Sequence, residues 1–151
     1  MKILDFENYM RRALELAEEA GRRGEVPVGC VIVSAAGEII GSGQNRRRET
    51  GSALSHAETE AIDMACRTLG DWRLGGCTLF VTLEPCPMCA GAIIMSRIST
   101  VVYGAREKEC GSCASILNLF AESYPSRPAV YGGVLAAESA ALLSAFFEKL
   151  R

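Results

Sequence analysis

Apolar residues recur at helical spacing in the first part of the chain. The stripe comprises Phe6, Tyr9, Met10, Ala13, Leu14, Ala17 and Ala20. One apolar residue every three or four positions makes a single buried face on a helix, and the Asp5 side chain can accept a backbone N–H at its start. The pattern predicts a helix from Asp5 to about Arg22, which Gly21 and Gly24 end.

Two β-branched stretches follow this helix. Residues 26–34 (VPVGCVIVS) are almost continuously apolar, which is typical of a strand buried on both faces. A tight turn at Ala36-Gly37 predicts that residues 38–43 return as its partner strand. Residues 44–55 are too hydrophilic for a core, so they are expected to bring Asn45 and three arginines to a surface.

The second half of the chain alternates between helical and strand patterns. The predicted helices are 56–69, 86–96, a short one at 116–121, and 136–150, and the predicted strands are 77–83, 100–104 and 129–131. The inward residues are expected to be Ala57, Ala61, Ile62, Ala65 and Leu69 in the first of these helices, and Leu142, Leu143, Phe146, Phe147 and Leu150 in the last. Strands 77–83 and 100–104 are joined by a crossover helix, so they are predicted to be parallel. The sum is an α/β fold with five strands and five or six helices, its sheet covered on both faces.

Composition bounds the protein class. The 151 residues, 49% of them apolar and 23% charged, predict one soluble globular domain over residues 1–151. No apolar run is long enough to span a bilayer, and the acidic start (Asp5, Glu7) does not resemble a signal peptide. Seven cysteines without a secretory signal indicate a reducing compartment, so we expect a cytoplasmic protein without a membrane partner.

Net charge gives no general attraction to nucleic acid. The chain carries 16 basic and 18 acidic side chains, a balance of −2. Any contact with RNA must therefore come from a local patch, for which Arg46, Arg47 and Arg48 are the candidates. The alternative for this triplet is a solvated loop.

The candidate chemistry centres on Cys86, Cys89 and His56. Pro87 suits the first position of a helix, which places Cys86 at the N-cap and Cys89 in the first turn. Backbone N–H groups and the helix dipole favour thiolates there, and thiolates bind metals. His56 is the only histidine in the chain, so no other residue can supply an imidazole.

Two thiolates, one imidazole and one open position describe a catalytic zinc site. Such a metal lowers the pKa of a bound water from about 15.7 to roughly 7, and a nearby group must then move the proton. Glu58 is the candidate, although residues i and i+2 diverge on an ideal helix, so His56 and Glu58 can meet only at a helix start or in a distorted turn. The combination of H-x-E with P-C-x-x-C resembles the signature of zinc-dependent deaminases.

The same cysteines allow other interpretations. Cys110 and Cys113 form a second C-x-x-C, and with Cys86 and Cys89 they fit the spacing of a structural zinc ribbon, which would make the chain a binding module. A ribbon is a small domain that needs its metal to fold, whereas this chain has ample apolar material, so the enzyme is preferred. For Cys110 and Cys113, plain packing or a position in a loop is expected ahead of either the ribbon or a transient redox role.

The chain resembles the cytidine deaminase superfamily, and within it the bacterial tRNA-specific adenosine deaminases. The resemblance runs from Phe6 nearly to Arg151. It rests on residues 25–29 (EVPVG), 45–46 (NR), 56–58 (HAE), 81–92 (VTLEPCPMCAGA), 96–98 (SRI), 102–106 (VYGAR), 133–135 (GVL) and 146–147 (FF). It implies a three-layer α/β/α sandwich around a mixed five-stranded sheet, and a homodimer whose adjoining subunits build the substrate groove.

The resemblance also implies an activity and a set of roles. It implies one zinc per subunit and hydrolytic deamination of the wobble adenosine of a tRNA anticodon to inosine. Asn45 would hydrogen-bond the target base, and the backbone around Ala57, Leu83 and Glu84 would border its pocket.

Two segments depart from the usual pattern of that branch. Residues 107–110 read Glu-Lys-Glu-Cys where a basic residue and small residues are usual, and Pro125-Ser126 stand where an Asn-His pair is usual. Both segments lie on the family's RNA-facing side. The alternative substrate is therefore a free nucleobase or nucleoside of the guanine or cytosine type.

Overall fold

The computed structural model describes residues 4–151, so residues 1–3 of the predicted domain lie outside the described part of the chain. The elements are α1 (Phe6–Arg22), β1 (Gly29–Val33), β2 (Ile39–Gln44), α2 (Arg47–Thr50), α3 (Ala57–Leu69), β3 (Thr78–Leu83), α4 (Pro87–Met95), β4 (Thr100–Ala105), a 3-10 turn (Leu119–Ala121), β5 (Ala129–Tyr131) and α5 (Ala136–Lys149). None of the described helices is both long and apolar enough to cross a membrane.

The five strands form one mixed sheet in the order β2-β1-β3-β4-β5. β1 runs antiparallel to β2 and β3, whereas β3, β4 and β5 are parallel to one another. The crossover through α4 places β4 beside β3 in parallel, as the sequence predicted. β3 lies at the centre of the sheet, and its carboxyl end leads directly to Cys86.

Alternation along the central strands divides the core into two layers. Val31, Phe80 and Val102 face α1, while Ile32, Leu79 and Val101 belong to the cluster under α3 and α4. α5 packs against β4 on the same side as α1. The predicted three-layer α/β/α arrangement is therefore confirmed.

Small residues bring α3 unusually close to β2. A Cβ on Gly43 would overlap the carbonyl oxygen of Ala57, and one on Gly41 would overlap that of Ala61. The backbone of α3 therefore rests on the glycines of β2. This contact fixes the height of the first turn of α3 above the sheet, where His56 and Glu58 lie.

Several predicted boundaries were wrong. The first strand covers only Gly29–Val33, because residues 26–28 form no ladder with the sheet. Gly21 lies inside α1, and the chain instead turns at Gly24, whose φ of 85° suits glycine. The polar segment contains the short helix α2, and the 3-10 turn begins at Leu119 rather than at residue 116.

Three residues expected in the core are exposed. Leu69 lies in the last turn of α3 with 47% of its surface exposed, and Phe147 in α5 and Leu150 just after it are 47% and 65% exposed. Only Ser139 of α5 is fully buried, because this helix touches the sheet near its start. Helical periodicity identified the apolar face of α5 but not how much of that face the sheet covers.

Candidate metal and catalytic site

The starts of two helices meet at the carboxyl end of β3. His56 is the N-cap of α3 and Cys86 the N-cap of α4, both with extended backbones. Pro87 occupies the first position of α4, and Cys89 lies in the first turn. The Nδ1 atom of His56 is 3.6 Å from the Cys86 sulfur and 3.4 Å from the Cys89 sulfur. The sequence-predicted donors are thus brought together.

The spacing of these donors fits zinc. With Zn–S bonds of about 2.3 Å and Zn–N bonds of about 2.0–2.1 Å, tetrahedral geometry separates neighbouring ligand atoms by roughly 3.6 Å. The three ligand atoms lie within 4.8 Å of one another, and among residues 4–151 theirs is the one place where three such donors converge. Three protein donors leave a fourth position for a water or a substrate, as in catalytic zinc sites.

Cys110 and Cys113 do not belong to this group of donors. Cys110 is exposed, and Cys113 is buried beneath its loop. A zinc ribbon would require the sulfurs of Cys110 and Cys113 beside those of Cys86 and Cys89. The donor beside those two sulfurs is instead the imidazole of His56.

The two thiols have opposite tendencies to ionise. A hydrogen bond from the Cys89 thiol lowers the pKa of Cys86 to about 4 against the opposing effect of burial, and the hydrogen bond with His56 adds to the lowering. The same hydrogen bond with Cys86, together with burial, raises the pKa of Cys89. One thiolate and one thiol therefore share a proton, which a metal must displace to bind both sulfurs.

Glu58 is buried in the first turn of α3, with 4% of its surface exposed. Burial raises the pKa of its carboxyl to about 7, although the positive potential of His56 works in the other direction. A carboxyl group of this kind can both accept and release a proton near neutral pH. Because His56 occupies the extended N-cap and not a helical position, the predicted conflict between residues i and i+2 does not arise.

A pocket opens over the metal donors. His56, Glu58 and Cys86 line it, and Cys89 is fully buried. All four residues expected to contact substrate also line it: Asn45, Ala57, Leu83 and Glu84.

The Asn45 side chain is held in place by its own neighbours. Its Oδ1 accepts a hydrogen bond from the Arg47 N–H at 3.2 Å, and its Nδ2 donates to the Val26 carbonyl at 3.3 Å. These two hydrogen bonds leave one lone pair of Oδ1 and one hydrogen of Nδ2 unused. Asn45 is thus a fixed donor and acceptor at the pocket.

The three arginines have different surroundings. Arg46 is paired with Glu49 at 2.8 Å and Glu60 at 3.3 Å, and Arg48 donates to the Gly24 carbonyl. Only Arg47 of the triplet lines the pocket. Of the predicted basic patch, only Arg47 therefore lies at the pocket, whereas the side chains of Arg46 and Arg48 bind other groups of the protein.

Sequence reasoning missed several residues of the pocket wall. Phe147, which was assigned to the core, lines the pocket from α5, and Glu107, Glu109 and Cys110 line it from the loop after β4. The resemblance placed residues 107–110 on the RNA-facing side of the family, but it did not show that they line the pocket beside the metal donors. Phe147 was recognisable only as an apolar helix position.

The chain is similar in sequence to a family of zinc-binding proteins. The family model for the cytidine and deoxycytidylate deaminase zinc-binding region matches residues 5–105. The tRNA-specific adenosine deaminase of Bacillus subtilis (strain 168) is 47% identical over 146 residues, which is 96% of this chain and 90% of that protein.

Two solved structures are similar as well. One comes from biochemical and structural studies of A-to-I editing by tRNA:A34 deaminases at the wobble position of transfer RNA; it has a TM-score of 0.87 and 43% identity, and it covers 90% of this chain and 99% of its own. The other is the guanine deaminase of Bacillus subtilis, with a TM-score of 0.65 and 41% identity, covering 68% of this chain and 66% of its own.

Proposed function

The chain belongs to the cytidine and deoxycytidylate deaminase family, and from that membership we propose that it is a zinc-dependent hydrolase converting adenosine to inosine at the wobble position of a tRNA anticodon. The observation that carries the chemistry is the convergence of His56, Cys86 and Cys89 beside the buried carboxyl of Glu58 in one pocket. The near-full-length likeness to tRNA deaminases supports the substrate.

His56, Cys86 and Cys89 would hold one zinc per chain. Zinc held there would lower the pKa of a water molecule to about 7, so that the water can lose a proton and attack C6 of the adenine. Glu58 accepts the proton of that water and passes it to N1 of the ring. A second transfer through Glu58 moves the proton of the new C6 hydroxyl to the amino group; the C6–N bond then breaks, ammonia leaves, and the C6–O bond becomes the carbonyl of inosine.

The other pocket residues would orient the base. Asn45 presents a fixed amide to its polar edge, and the backbone around Ala57, Leu83 and Glu84 borders the ring. A base in a single-stranded anticodon loop is already partly unstacked, so turning it into such a pocket costs little. Arg47 is placed to contact a phosphate near the flipped nucleotide.

The proposal extends to assembly and location. α3 and α4 expose large apolar side chains, with Met64 47% and Met95 72% exposed. Exposed apolar surface on neighbouring helices supports a homodimer whose adjoining subunits build the substrate groove. A tRNA substrate supports a cytoplasmic location.

A guanine deaminase is the second candidate, favoured by the structural likeness to the Bacillus subtilis enzyme and by the two acidic residues, Glu107 and Glu109, at the pocket. Ammonia release measured in parallel on an anticodon stem-loop, adenosine, guanine, cytosine and cytidine separates the candidates. We expect release from the stem-loop alone. Rapid release from guanine, with the stem-loop unchanged, would assign the protein to the small-molecule branch.

A further inference from the structure

One wall of the pocket is a loop, not a helix or a strand. The loop after β4 brings Glu107, Glu109 and Cys110 to the pocket. Its next three residues, 111–113, are buried beneath this outer part. The contacts that hold the buried residues 111–113 therefore set the position of this pocket wall.

A single carboxylate holds it. Glu84, at 2% exposure, accepts hydrogen bonds from the backbone N–H of Glu107 at 3.1 Å, Cys113 at 2.8 Å and Ser115 at 3.1 Å, and also from the Ser115 hydroxyl. These donors stand at the start, the middle and the end of residues 107–115. One side chain thus binds the loop backbone at three points.

The same short segment also carries a metal donor. Glu84 precedes Cys86 by two residues, and the intervening Pro85 accepts a hydrogen bond at its carbonyl from the Ser112 N–H at 2.8 Å. The loop is therefore fixed relative to the metal donors, and not merely to the sheet.

The contact is close enough to require glycine. A Cβ on Gly111 would lie 2.5 Å from Cδ of Glu84 and 2.6 Å from its Oε1. No ion pair of the described residues involves Glu84, so only hydrogen bonds compensate the burial of this charge. A carboxylate satisfied in this way is suited to ordering a loop.

We propose that Glu84 is a positioning residue that fixes the 107–115 loop against the metal donors and thereby sets how well the substrate fits the pocket. The substrate part of this inference rests on the proposed function. The loop part does not, because it concerns the protein alone.

Three variants test the inference in the zinc-loaded protein. Glu84→Gln replaces one acceptor oxygen with a donor that faces N–H groups, Ser115→Ala removes only the hydroxyl bond, and Gly111→Ala pushes the loop from the other side. Val33→Ala is the control, since Val33 is fully buried on the far face of the sheet and its loss lowers stability away from the pocket. Each is measured for zinc per chain, melting temperature, amide hydrogen exchange of residues 107–115, and kcat and KM on the substrate that the unmodified enzyme turns over.

Glu84→Gln and Gly111→Ala are expected to keep one zinc per chain, to lose at least tenfold of the exchange protection in the loop, and to raise KM more than they lower kcat. The rise in KM should be about tenfold, below the roughly hundredfold that a misplacement of about 1 Å can cost. Ser115→Ala should act in the same direction and more weakly. Val33→Ala should lower the melting temperature and leave KM unchanged.

Unchanged loop protection in Glu84→Gln would overturn the inference whatever the substrate proves to be. So would an equal rise of KM in Val33→Ala, which would reduce the effect to general destabilisation. Loss of zinc with the loop still protected would make Glu84 a support of the metal donors instead. Failure of the unmodified enzyme on the stem-loop would refute the proposed substrate, and the exchange data would still decide the role of Glu84.

Discussion

Substituting Gly43 with alanine should displace the first turn of α3 from the sheet. The added Cβ would lie 2.3 Å from the Ala57 carbonyl oxygen and 2.8 Å from the Ala61 nitrogen, whereas ordinary contact begins at 3.4 Å, so the helix must retreat by about 1.1 Å (3.4 − 2.3). Overpacking of this kind costs about 1–3 kcal/mol of unfolding free energy. His56 and Glu58 move with α3, while the cysteine donors stay on α4.

The displacement should therefore weaken zinc binding and slow turnover together. A shift of about 1 Å is expected to lower kcat/KM by up to roughly a hundredfold. Urea unfolding, zinc retention during dialysis against a chelator, and kcat/KM on the anticodon stem-loop measure the three effects. Gly75→Ala is the matched control, because a Cβ there meets nothing within 4 Å.

Gly41→Ala extends the test along the helix. Its Cβ would lie 2.3 Å from the Ala61 carbonyl oxygen, one turn further from His56 than the Ala57 carbonyl, so it should cost similar stability and less activity. If Gly43→Ala matched Gly75→Ala in both stability and turnover, the close packing of α3 on β2 would not be what positions the site.

Glu58→Ala should retain zinc and lose about 10²–10⁴ of turnover; normal turnover would refute its role in proton transfer. The double variant Cys110→Ser, Cys113→Ser should still contain one zinc per chain while His56→Ala loses it, as metal analysis would show, and the reverse would favour the ribbon. Arg47→Ala should weaken binding of the stem-loop and lower the slope of log affinity against log salt by about one phosphate contact. The same substitution at an exposed arginine of α1 should change neither quantity much. An unchanged slope would remove Arg47 from the RNA contacts.

The parts of the fold that local chemistry determines were predictable from sequence. α1 begins at Phe6 with the Asp5 side chain accepting the Asn8 N–H at 3.2 Å, as its cap and its apolar spacing indicated. Cys86 and Pro87 likewise stand at the N-cap and first position of α4, because both preferences depend on adjacent residues.

The parts that distant contacts determine were not predictable. α2 is four residues long and would not persist alone; the buried carboxylate of Glu25 accepts the N–H groups of Arg48 at 3.1 Å and Glu49 at 2.8 Å and holds it. The sequence of residues 44–55 does not indicate that Glu25, more than twenty positions upstream, binds this segment. For the same reason the side-chain role of Glu84 was missed, and only the backbone around it was assigned to the pocket.

Hydrolytic conversion of one adenosine in a tRNA anticodon by this zinc site leaves an oxygen atom from water at C6. The most direct measurement incubates the zinc-loaded protein in ¹⁸O-labelled water with an anticodon stem-loop that carries a wobble adenosine and a second loop adenosine, then maps inosine and its isotope by nuclease digestion and mass spectrometry. We predict inosine at the wobble position alone, labelled with one ¹⁸O, and none with Glu58→Ala. An unmodified stem-loop, equal conversion of both adenosines, or unlabelled inosine would refute wobble-specific hydrolytic deamination by this protein.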